Sequence, residues 1–462
     1  MDFLMNDTIA AISTPPGEGG IGIVRISGDD VLEIVEKIFR GPAGNKAKVE
    51  PRKVHYGHIL NPDTDERVDE VLLTYMKSPR SYTTQDVVEI NCHGGPVILK
   101  EVLDLAVSSG ARIAEPGEFT KRAFLGGRID LTQAEAVMDI IRARTDESRR
   151  VAFSQLKGEL SFRINKLMDD VIDFLIQLEA RIDFCEDDIP SLDPGYKMKQ
   201  VDLVLGEVNR ILKNFEMGKI YREGIRASIV GPSNAGKSTL LNTLLGEERA
   251  IVTNIPGTTR DRIEETVNLR GVPLVLIDTA GLRKTGDPVE SIGIEKTMES
   301  IKDADFVLLV LDASQEKMGE LTGIMDFLDP KKTLVIMNKT DLGCNYKRQF
   351  LLGYLSHERI VEVSLLEKQG IEQMEERILS FVFGGNIGSP ADVILSNARH
   401  KDALRRTSGF LQEARKSIES GMSDDFITID LQGALDSLGE IVGKVSVDSL
   451  LDRIFSNFCI GK

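Results

Sequence analysis

A glycine-rich loop in the middle of the chain most constrains its fold. Residues 231–238 read GPSNAGKS and fit the pattern G-x-x-x-x-G-K-[ST]. A short apolar run at 225–230 precedes the loop, and leucines at helical spacing follow it. A strand–loop–helix unit of this kind turns backbone N–H groups toward phosphate oxygens at a helix N-terminus. The loop therefore predicts a doubly wound α/β domain that binds a nucleotide, with Lys237 reaching the outer phosphates and Ser238 ligating Mg²⁺.

Three further elements follow the loop in a fixed order. They read GTTRD at 257–261, DTAG at 278–281 and NKTD at 338–341. Asp341 is placed to accept hydrogen bonds from the N–H groups of guanine, whereas adenine lacks those donors and would leave a buried carboxylate unpaired. Each tetrapeptide taken alone is as readily an ordinary turn. The ordered set predicts that a guanine nucleotide binds and that its terminal phosphate is sensed.

The two middle elements predict how the third phosphate is sensed. The apolar run 272–277 predicts a buried strand that delivers Asp278 to the surroundings of the metal and the N–H of Gly281 to the γ-phosphate. Thr259 is placed to close over Mg²⁺ when that phosphate is present. Leu282 stands where small regulatory GTPases carry a glutamine that orients water, so another group must do this if hydrolysis is efficient.

Two residues offer substitutes for the missing groups. Glu290 could hold the attacking water, although on sequence alone a solvated loop glutamate is the simpler interpretation. No arginine stands where it could act as a finger in cis, and the side-chain carbonyl of Asn234 could instead ligate K⁺ between phosphates. Backbone oxygens of Thr253, Ile255 and Thr258 would complete the shell, with a facing copy of the same domain ordering the loop.

Composition sets the broad class. The 462 residues are too many for one core, so two to four domains are expected. A hydrophobic content of 41% and a charged content of 28% are typical of soluble globular proteins, and no signal sequence or bilayer-spanning run is recognised. The four dispersed cysteines predict reduced thiols in the cytoplasm rather than a disulfide frame or zinc site. A net charge of −16 argues against broad, non-specific nucleic-acid binding.

The pattern of apolar residues divides the chain into segments. Residues 1–118 mix strands with helices, 119–222 are helical, 223–383 alternate strand with helix, and 384–462 are helical again. Each helical segment carries an apolar stripe that must be buried. We therefore predict that the two helical segments pack together as one split domain and that the α/β domain is inserted into it. Two unrelated helical domains are the alternative.

Local patterns predict individual elements. In the second segment, Thr132 and Glu135 predict a capping box. The predicted strands of the first segment are Thr8 to Ser13, Gly22 to Ser27, Val54 to Leu60, Val68 to Met76 and Val87 to Cys92, and the predicted helices are Asp29 to Phe39 and Val97 to Ser108. The residues predicted to form buried helix stripes are Ile164, Leu167, Val171, Phe174, Leu178 and Ile182, and then Leu431, Leu435, Leu438 and Val442.

Two glycine-rich stretches and the chain end carry further signals. Residues 17–22 match G-x-G-x-x-G, but a strand-like run follows where that fingerprint needs a helix, so a loop between two strands is predicted. Residues 93–95, His-Gly-Gly, predict a glycine turn into a helix that starts near Pro96. Cys459 lies three residues before the end. It is either part of a packed tail or, with Lys462, a thiol and an ammonium group in a substrate site.

Taken together, these stretches resemble the MnmE (TrmE) family of tRNA-modifying GTPases over essentially the whole chain. The resemblance rests on TPPGEGGIGIVRISG, HGGPVIL, PGEFTKRAF, LTQAEAV, the GTPase elements and the terminal FCIGK. It implies a folate-binding N-terminal α+β domain that dimerises, a split helical domain and an inserted P-loop GTPase domain. It also implies a heterotetramer with the FAD protein MnmG. Together they would add an aminomethyl or carboxymethylaminomethyl group to C5 of the wobble uridine of certain tRNAs, with a tetrahydrofolate derivative as the one-carbon donor.

The resemblance also implies roles for particular residues. Glu290 falls at the family's catalytic glutamate, and Cys459 is the thiol of its terminal motif. Ser238 and Thr259 would hold Mg²⁺, and K⁺ would be held by Asn234, Thr253, Ile255 and Thr258. The folate would contact Arg25, Glu89, Arg128 and Lys462. The GTP-binding residues would be Asn234, Ala235, Gly236, Lys237, Ser238, Thr239, Thr253, Asn254, Ile255, Pro256, Gly257, Thr258, Thr259, Asp278, Thr279, Ala280, Gly281, Asn338, Lys339, Asp341, Ser364, Leu365 and Leu366.

Two departures from the family pattern bear on these roles. Arg128 stands where relatives often carry lysine, which keeps the charge but changes its geometry. Ser364-Leu365-Leu366 stands where the last guanine-contacting loop usually reads Ser-Ala-Lys, so affinity for the base is expected to be weaker without loss of specificity. The alternatives are a ribosome-assembly or signalling GTPase without modification chemistry, and a folate enzyme regulated by GTP.

Overall fold

The computed structural model describes most of the chain as two compact units. The described residues are 7–46, 48–183, 192–251, 264–277, 298–315, 327–343, 356–384, 395–445 and 448–462. Unit 1 comprises Met1–Met138, Ser161–Asp169 and Leu435–Lys462, and unit 2 comprises Asp139–Leu160 and Asp170–Ala434.

Strands and helices are numbered in chain order within the described residues. The strands are β1 (Ile9–Ile12), β2 (Gly19–Ser27), β3 (Phe39–Arg40), β4 (Val54–Leu60), β5 (Arg67–Met76), β6 (Val87–Gly94), β7 (Arg112–Ile113), β8 (Ile225–Val230), β9 (Ala250–Ile251), β10 (Glu265–Leu269), β11 (Val272–Ile277), β12 (Phe306–Asp312), β13 (Thr333–Asn338) and β14 (Ile360–Glu362). The helices are α1 (Val31–Ile38), α2 (Pro96–Ser108), α3 (Glu118–Leu125), α4 (Leu131–Arg142), α5 (Asp146–Leu156), α6 (Glu159–Asp183), α7 (Pro194–Lys213), α8 (Phe215–Glu223), α9 (Lys237–Arg249), α10 (Ile371–Val382), α11 (Ala398–Glu419), α12 (Asp424–Val442) and α13 (Asp448–Phe455).

Unit 1 is built on a seven-stranded sheet with the order β3-β4-β5-β6-β2-β1-β7. Its pairs are antiparallel except the short parallel contact of β1 with β7. Alternate strand residues such as Ile26 and Ile90 pack with the apolar faces of α1 and α2 in one core. The predicted strands and helices of this segment are confirmed, with ends shifted by three residues or fewer.

Helices α3, α4 and α13 form a second core in unit 1. Ala123 of α3, Leu131 and Ala134 of α4, and Leu451 and Phe455 of α13 are all buried there. The last helix of the chain thus packs on helices that follow the N-terminal sheet, and this packing positions the C-terminal residues described below.

The predicted capping box at the start of α4 is wrong in its register. The helix begins at Leu131, so Thr132 and Glu135 lie inside it. Asp130 instead accepts a hydrogen bond from the backbone N–H of Gln133 at 3.0 Å, and the side chain of Gln133 accepts one from the N–H of Asp130 at 3.0 Å. Asp130 and Gln133 satisfy the same reciprocal pattern two residues earlier, because an aspartate can also serve as the N-cap acceptor.

Unit 2 contains the doubly wound sheet, with the order β14-β13-β12-β8-β11-β10-β9. Strands β14 to β11 in that order are parallel, and β10 and β9 add an antiparallel edge. All residues of β11 and β13 are buried, as expected for strands covered on both faces. The predicted α/β fold of this segment is confirmed, with β8 and β11 ending at the residues predicted.

Long helices complete unit 2. Helix α7, before the sheet in sequence, packs along α11, which follows the sheet, and Arg415 of α11 is paired with Asp202 of α7 at 2.9 Å. At the start of α8, the ring centroid of Phe215 lies 4.0 Å from the Lys401 ammonium of α11. The two predicted apolar stripes lie on α6 and α12, whose residues are divided between unit 1 and unit 2. The first stripe is buried at Ile164, Leu167, Val171, Phe174 and Leu178, while the side chain of Ile182 lies outside the described residues. In the second stripe, Leu431, Leu438 and Val442 are buried and Leu435 is half-buried.

Candidate functional site

The phosphate-binding loop leads from β8 into α9, as its motif requires. Asn234 (φ 60°), Gly236 (φ 103°) and Gly231 (φ 148°) have positive φ values, which let the backbone coil tightly. The Lys237 ammonium donates to the carbonyls of Gly231 and Pro232, both at 2.8 Å. These bonds hold the charge against the loop, so an anion bound there would meet a cation already in place.

Asn338 ties the loop to two other segments of the nucleotide site. Its Nδ2 donates to the carbonyl of Ala235 at 2.9 Å, and its Oδ1 accepts from the backbone N–H of Leu365 at 3.1 Å. A Cβ at Gly236 would lie 2.2 Å from the same Nδ2, so only glycine fits beside this amide. Asn338 is therefore a brace that fixes three elements together, and its side chain is buried.

The other residues of the predicted base site have different surroundings. The Lys339 ammonium donates to Asp312 Oδ2 at 2.7 Å. Burial alone would raise the pKa of Asp312, but hydrogen bonds from Lys339 and Ser314 hold that pKa below its usual value. Asp341 lies in an exposed 3₁₀ turn, Thr340–Leu342. Leu365 is buried and Leu366 is 79% exposed, so the two leucines face different environments.

The remaining nucleotide-site predictions lie outside the described residues. These are Thr253, Asn254, Ile255, Pro256, Gly257, Thr258, Thr259, Asp278, Thr279, Ala280, Gly281 and Glu290. Ser238 and Thr239, by contrast, are described and lie in the first turn of α9.

A second polar cluster forms in unit 1, where the C-terminal tail meets the N-terminal sheet. Arg25 on β2 is opposite Glu89 on β6, and their side chains are paired with Nη2–Oε1 at 2.8 Å. Arg25 Nη1 also donates to the carbonyl of Gly461 at 3.1 Å, and the Ser13 hydroxyl donates to the same oxygen at 3.1 Å. Residues near both ends of the chain thereby share one set of hydrogen bonds.

Aromatic rings complete this cluster. The guanidinium groups of Arg25 and Arg128 lie 5.5 Å and 4.5 Å from the ring centroid of Tyr82, and Arg25 lies 5.5 Å from that of Phe119. The Tyr82 hydroxyl is 2.9 Å from the Thr120 hydroxyl, which fixes the ring edge. Sequence reasoning missed Tyr82 and Phe119, because neither belongs to a recognisable motif. We call Arg25, Tyr82, Glu89, Arg128 and Lys462 together the tail site.

Lys462 belongs to the same electrostatic environment. Burial and the positive charge of Arg25 lower the pKa of its ammonium, while Glu89 and Cys459 act in the opposite direction. The predicted residues Arg25, Glu89 and Lys462 are thus brought together. Arg128 joins them through Tyr82.

Close backbone contacts hold the tail in place. Gly461 has φ 90°, and a Cβ there would lie 2.4 Å from the carbonyl oxygen of Ile12. The carbonyl of Cys459 accepts a hydrogen bond from the N–H of Gly117 at 3.3 Å. Cys459 itself is exposed, whereas burial and the charge of Asp69 raise the pKa of Cys92 to about 12. Of these two thiols, only Cys459 is therefore accessible and close to the tail site.

Comparison with known proteins identifies the family. A family model described as the MnmE helical domain matches residues 131–459, and one described as the GTP-binding protein TrmE N-terminus matches residues 8–128. The chain belongs to the MnmE family of tRNA modification GTPases. It is therefore a GTPase, and the family resemblance inferred from the sequence is confirmed.

Individual relatives match over their whole length. The tRNA modification GTPase MnmE of Alkaliphilus metalliredigens is 47% identical over 461 residues, which cover 100% of both chains. Those of Thermoanaerobacter pseudethanolicus and Clostridioides difficile are 49% and 47% identical, covering 99% and 100% of this chain and the same shares of their own. Among solved structures, the G domain of the T. maritima FeoB iron transporter aligns with 34% of this chain and 98% of its own length, at 26% identity and a TM-score of 0.26.

No helix within the part of the chain that the structure describes is long and apolar enough to cross a membrane.

Proposed function

We propose that this MnmE-family GTPase adds an aminomethyl or carboxymethylaminomethyl group to C5 of the wobble uridine of certain tRNAs, using a tetrahydrofolate derivative. The observation that carries this proposal is the tail site. A GTPase switch without modification chemistry has no need for paired Arg25 and Glu89, nor for a tail whose Gly461 carbonyl binds Arg25. The unit 1 geometry therefore favours a second ligand site in addition to the nucleotide site.

The tail site matches the chemistry of a folate. A pterin ring carries adjacent N–H groups that suit a carboxylate such as Glu89, and its flat face suits the Tyr82 ring. The glutamyl end carries carboxylates, which suit Arg128 and Lys462. A reduced folate, when bound, would supply the one-carbon unit. Arg25 would orient Glu89 through their ion pair, and the exposed Cys459 would be the accessible thiol of the site.

In the nucleotide site, we propose that Ser238 and Thr259 hold Mg²⁺ and that Asn234, Thr253, Ile255 and Thr258 hold K⁺. Glu290 would position the attacking water in place of the glutamine that Leu282 replaces. The left-handed backbone of Asn234 supports this assignment in part, because the residue stands on the tightly coiled loop rather than in the helix.

The proposed partners are a second copy of the chain and the FAD protein MnmG, as a heterotetramer acting on tRNA in the cytoplasm. Val54, Tyr56 and Leu72 support the homodimer. Tyr56 and Leu72 are opposite each other on β4 and β5, Val54 is on the same face, and the three are 65%, 46% and 47% exposed. Exposed apolar patches of this kind often mark protein interfaces. The proposed domains are 1–118, 119–222, 223–383 and 384–462, and the packing of α7 on α11 supports a split helical domain.

Mass spectrometry of tRNA nucleosides tests the modification. Cells that lack this protein should lose the aminomethyl-type wobble uridine, and a plasmid that carries the wild-type chain should restore it. A Cys459→Ser plasmid then tests the thiol, and the matched control is Cys92→Ser. An unchanged wobble uridine in cells that lack the protein would show that the chain acts as a GTPase switch instead.

Hydrolysis assays test the proposed catalytic groups. Glu290→Ala should reduce GTP turnover by about 100-fold or more while GTP affinity is kept, since it removes a group needed only in the transition state. Turnover should be much faster in K⁺ than in Na⁺, because the smaller Na⁺ fits the proposed shell poorly. Equal rates in the two salts would remove Asn234 from the catalytic site.

A further inference from the structure

The β10–β11 hairpin connects the two segments that the sequence assigns to phosphate sensing. GTTRD ends at residue 261, DTAG begins at residue 278, and the hairpin occupies most of the chain between them. Its turn consists of Arg270 (φ 49°) and Gly271 (φ 94°), between the paired residues Leu269 and Val272. A two-residue turn with two positive φ values is a tight, rigid connection. A displacement of either strand would therefore move the tip as well.

The N-terminal end of α5 contacts this hairpin through two hydrogen bonds. The Thr145 hydroxyl donates to the carbonyl of Gly271 at 2.7 Å, and Arg144 Nη1 donates to the Thr266 hydroxyl at 2.7 Å. A Cβ at Gly271 would lie 2.7 Å from Cγ of Glu147, so helix and tip are in close contact. We call Arg144, Thr145, Thr266 and Gly271 the hairpin contact.

Helix α10 holds the same turn from another direction. Arg270 donates to Glu375 through Nε and to Glu376 through Nη1, both at 3.0 Å. The tip is therefore bound to two helices that lie on either side of it in the sequence. Of these, α5 also contributes Val151 to the core that contains Val267 of β10.

The hydroxyl groups at the N-terminal end of α5 have fewer hydrogens than contacts. Thr145 Oγ1 lies 2.7 Å from the Gly271 carbonyl and 2.7 Å from Ser148 Oγ, and Ser148 Oγ lies 2.6 Å from the Tyr221 carbonyl. Each hydroxyl has one hydrogen to donate, so two hydrogens serve three contacts. If Gly271 withdraws, Thr145 can donate to Ser148 while Ser148 donates to Tyr221. The bond from Thr145 to Gly271 can therefore break without leaving either hydroxyl group without an acceptor.

We propose that the hairpin contact transmits the state of the bound nucleotide to α5, with Thr145 as the positioning residue. When the segments flanking the hairpin change between the GTP and GDP states, the tip moves and the Thr145 hydroxyl turns from Gly271 to Ser148. Helix α5 leads within a few residues into Ser161–Asp169, where the chain enters unit 1. This inference rests on the proposed GTPase function and on the phosphate-sensing roles that the sequence predicts for the flanking segments.

Hydrogen–deuterium exchange on the full-length protein tests the inference. Two peptides are followed, one covering 143–157 and one covering 264–277, in GDP and in a non-hydrolysable GTP analogue. In the wild type, exchange in both peptides should differ between the nucleotides, by about fivefold or more for a coupling of allosteric size. A wild-type protein in which only the hairpin peptide responds would overturn the proposal. A protein in which neither responds would overturn the phosphate-sensing roles as well.

Two variants separate the contact from the stability of α5. Thr145→Asp keeps an oxygen that can cap the N–H of Ser148 but has no hydrogen to donate to Gly271, and Thr145→Ser keeps both functions as the control. Thr266→Val removes the acceptor for Arg144 with little change of shape, and it serves if the aspartate variant fails to fold. In Thr145→Asp and Thr266→Val, the hairpin peptide should still respond to the nucleotide and the α5 peptide should not.

The tRNA-modification activity provides a second measurement, which should not change if the hairpin contact has a purely structural role. Both variants should hydrolyse GTP at about the wild-type rate, because no residue of the contact belongs to the proposed catalytic groups. Wobble-uridine modification in cells should nevertheless fall by about fivefold or more, the size of one coupling free energy. Normal modification together with a retained α5 response in both variants would overturn the proposal.

Discussion

The nucleotide loop and the tail site are built in opposite ways. The loop is local: Lys237 binds carbonyls of Gly231 and Pro232, six and five residues earlier in the chain. The tail site is assembled from distant parts of the chain, since Arg25 and the Gly461 carbonyl are 436 residues apart. Backbone groups provide most of the first site, and side chains on different elements provide most of the second.

Because the two sites are built differently, different substitutions should abolish ligand binding in each. A local loop depends on backbone conformations that few residues can adopt, so single glycines control it. A site assembled over long range depends on the packing that brings its parts together. It should fail when the tail is displaced, even if every charged residue remains.

Gly236→Ala should weaken ligand binding more than any change in the tail site. The residue has φ 103°, and a Cβ would lie 2.2 Å from Asn338 Nδ2, so the variant strains the loop and displaces the brace to Ala235 and Leu365. Strain and a lost buried hydrogen bond together are worth about 3 kcal/mol, or about a 100-fold loss of GTP affinity. Titration with a fluorescent GTP analogue measures this loss.

The control for this change is a glycine in an unremarkable position. Gly206 lies within α7 with no neighbour inside 4 Å of a built Cβ, so Gly206→Ala should leave GTP affinity unchanged. Folate affinity should be unchanged in both variants, because the tail site lies in unit 1. Normal GTP affinity in Gly236→Ala would mean that the loop backbone can accommodate a Cβ at this position. GTP binding would then not depend on a glycine there.

Gly461→Ala is the corresponding substitution in the tail site and should weaken folate binding. The residue has φ 90°, and a Cβ would lie 2.4 Å from the Ile12 carbonyl oxygen, so the tail must move away from the sheet. Arg25 and Ser13 then lose their shared acceptor, and Lys462 moves with the tail. Strain of about 2 kcal/mol corresponds to about a 30-fold loss of affinity for 5-formyltetrahydrofolate, measured by equilibrium dialysis.

Ile460→Ala is the matched control, because Ile460 is 56% exposed and next to the glycine in sequence. GTP affinity should be normal in both variants. If Gly461→Ala binds the folate as tightly as the wild type, then the tail does not contribute to the site, and Lys462 must be removed from it.

The same contrast explains what could be predicted from the sequence. Residues 225–238 and 272–277 were predictable because an apolar run and a glycine loop determine strand, turn and helix locally. Arg25, Glu89 and Lys462 could be assigned only through family resemblance, since no spacing rule relates residues brought together by long-range packing. Tyr82 was missed altogether, because its contacts with two arginines exist only in the folded chain. The capping box was shifted by two residues because Asp130 and Thr132 are both acceptable N-cap residues.

Substitutions at Tyr82 test whether its aromatic ring contributes to folate affinity. Tyr82→Leu removes the aromatic ring proposed to meet the pterin face, a contact worth about 1 kcal/mol, so folate affinity should fall about fivefold. Tyr82→Phe keeps the ring and removes only the hydroxyl contact with Thr120, so affinity should stay close to that of the wild type. Equal losses in the two variants would assign the effect to the hydroxyl instead.

The smallest expected effect is a pH dependence set by Lys462. Burial and the charge of Arg25 lower the pKa of this ammonium, so the free site loses a proton at a lower pH than an exposed lysine does. A folate carboxylate would favour the charged form, so binding would take up a proton once the pH exceeds the pKa of the free site. Affinity for 5-formyltetrahydrofolate should therefore fall, by about threefold, as the pH rises from 7 toward the ordinary lysine pKa of about 10.4.

Lys462→Met separates this titration from others in the protein. The variant should bind the folate more weakly at pH 7 but with little further change as the pH rises. The stability of the protein should change with pH in the opposite direction. The folded wild type holds the Lys462 proton less tightly than the unfolded chain does, so the free energy of unfolding should rise with pH over the same window. This rise should be absent in Lys462→Met. If wild type and Lys462→Met show the same pH dependence of folate binding, then the ammonium lies outside the ligand's reach. The tail site would then consist of Arg25 and Glu89 on the sheet, Tyr82 between β5 and β6, and Arg128 between α3 and α4. The C-terminal tail would act only through the Gly461 carbonyl that binds Arg25.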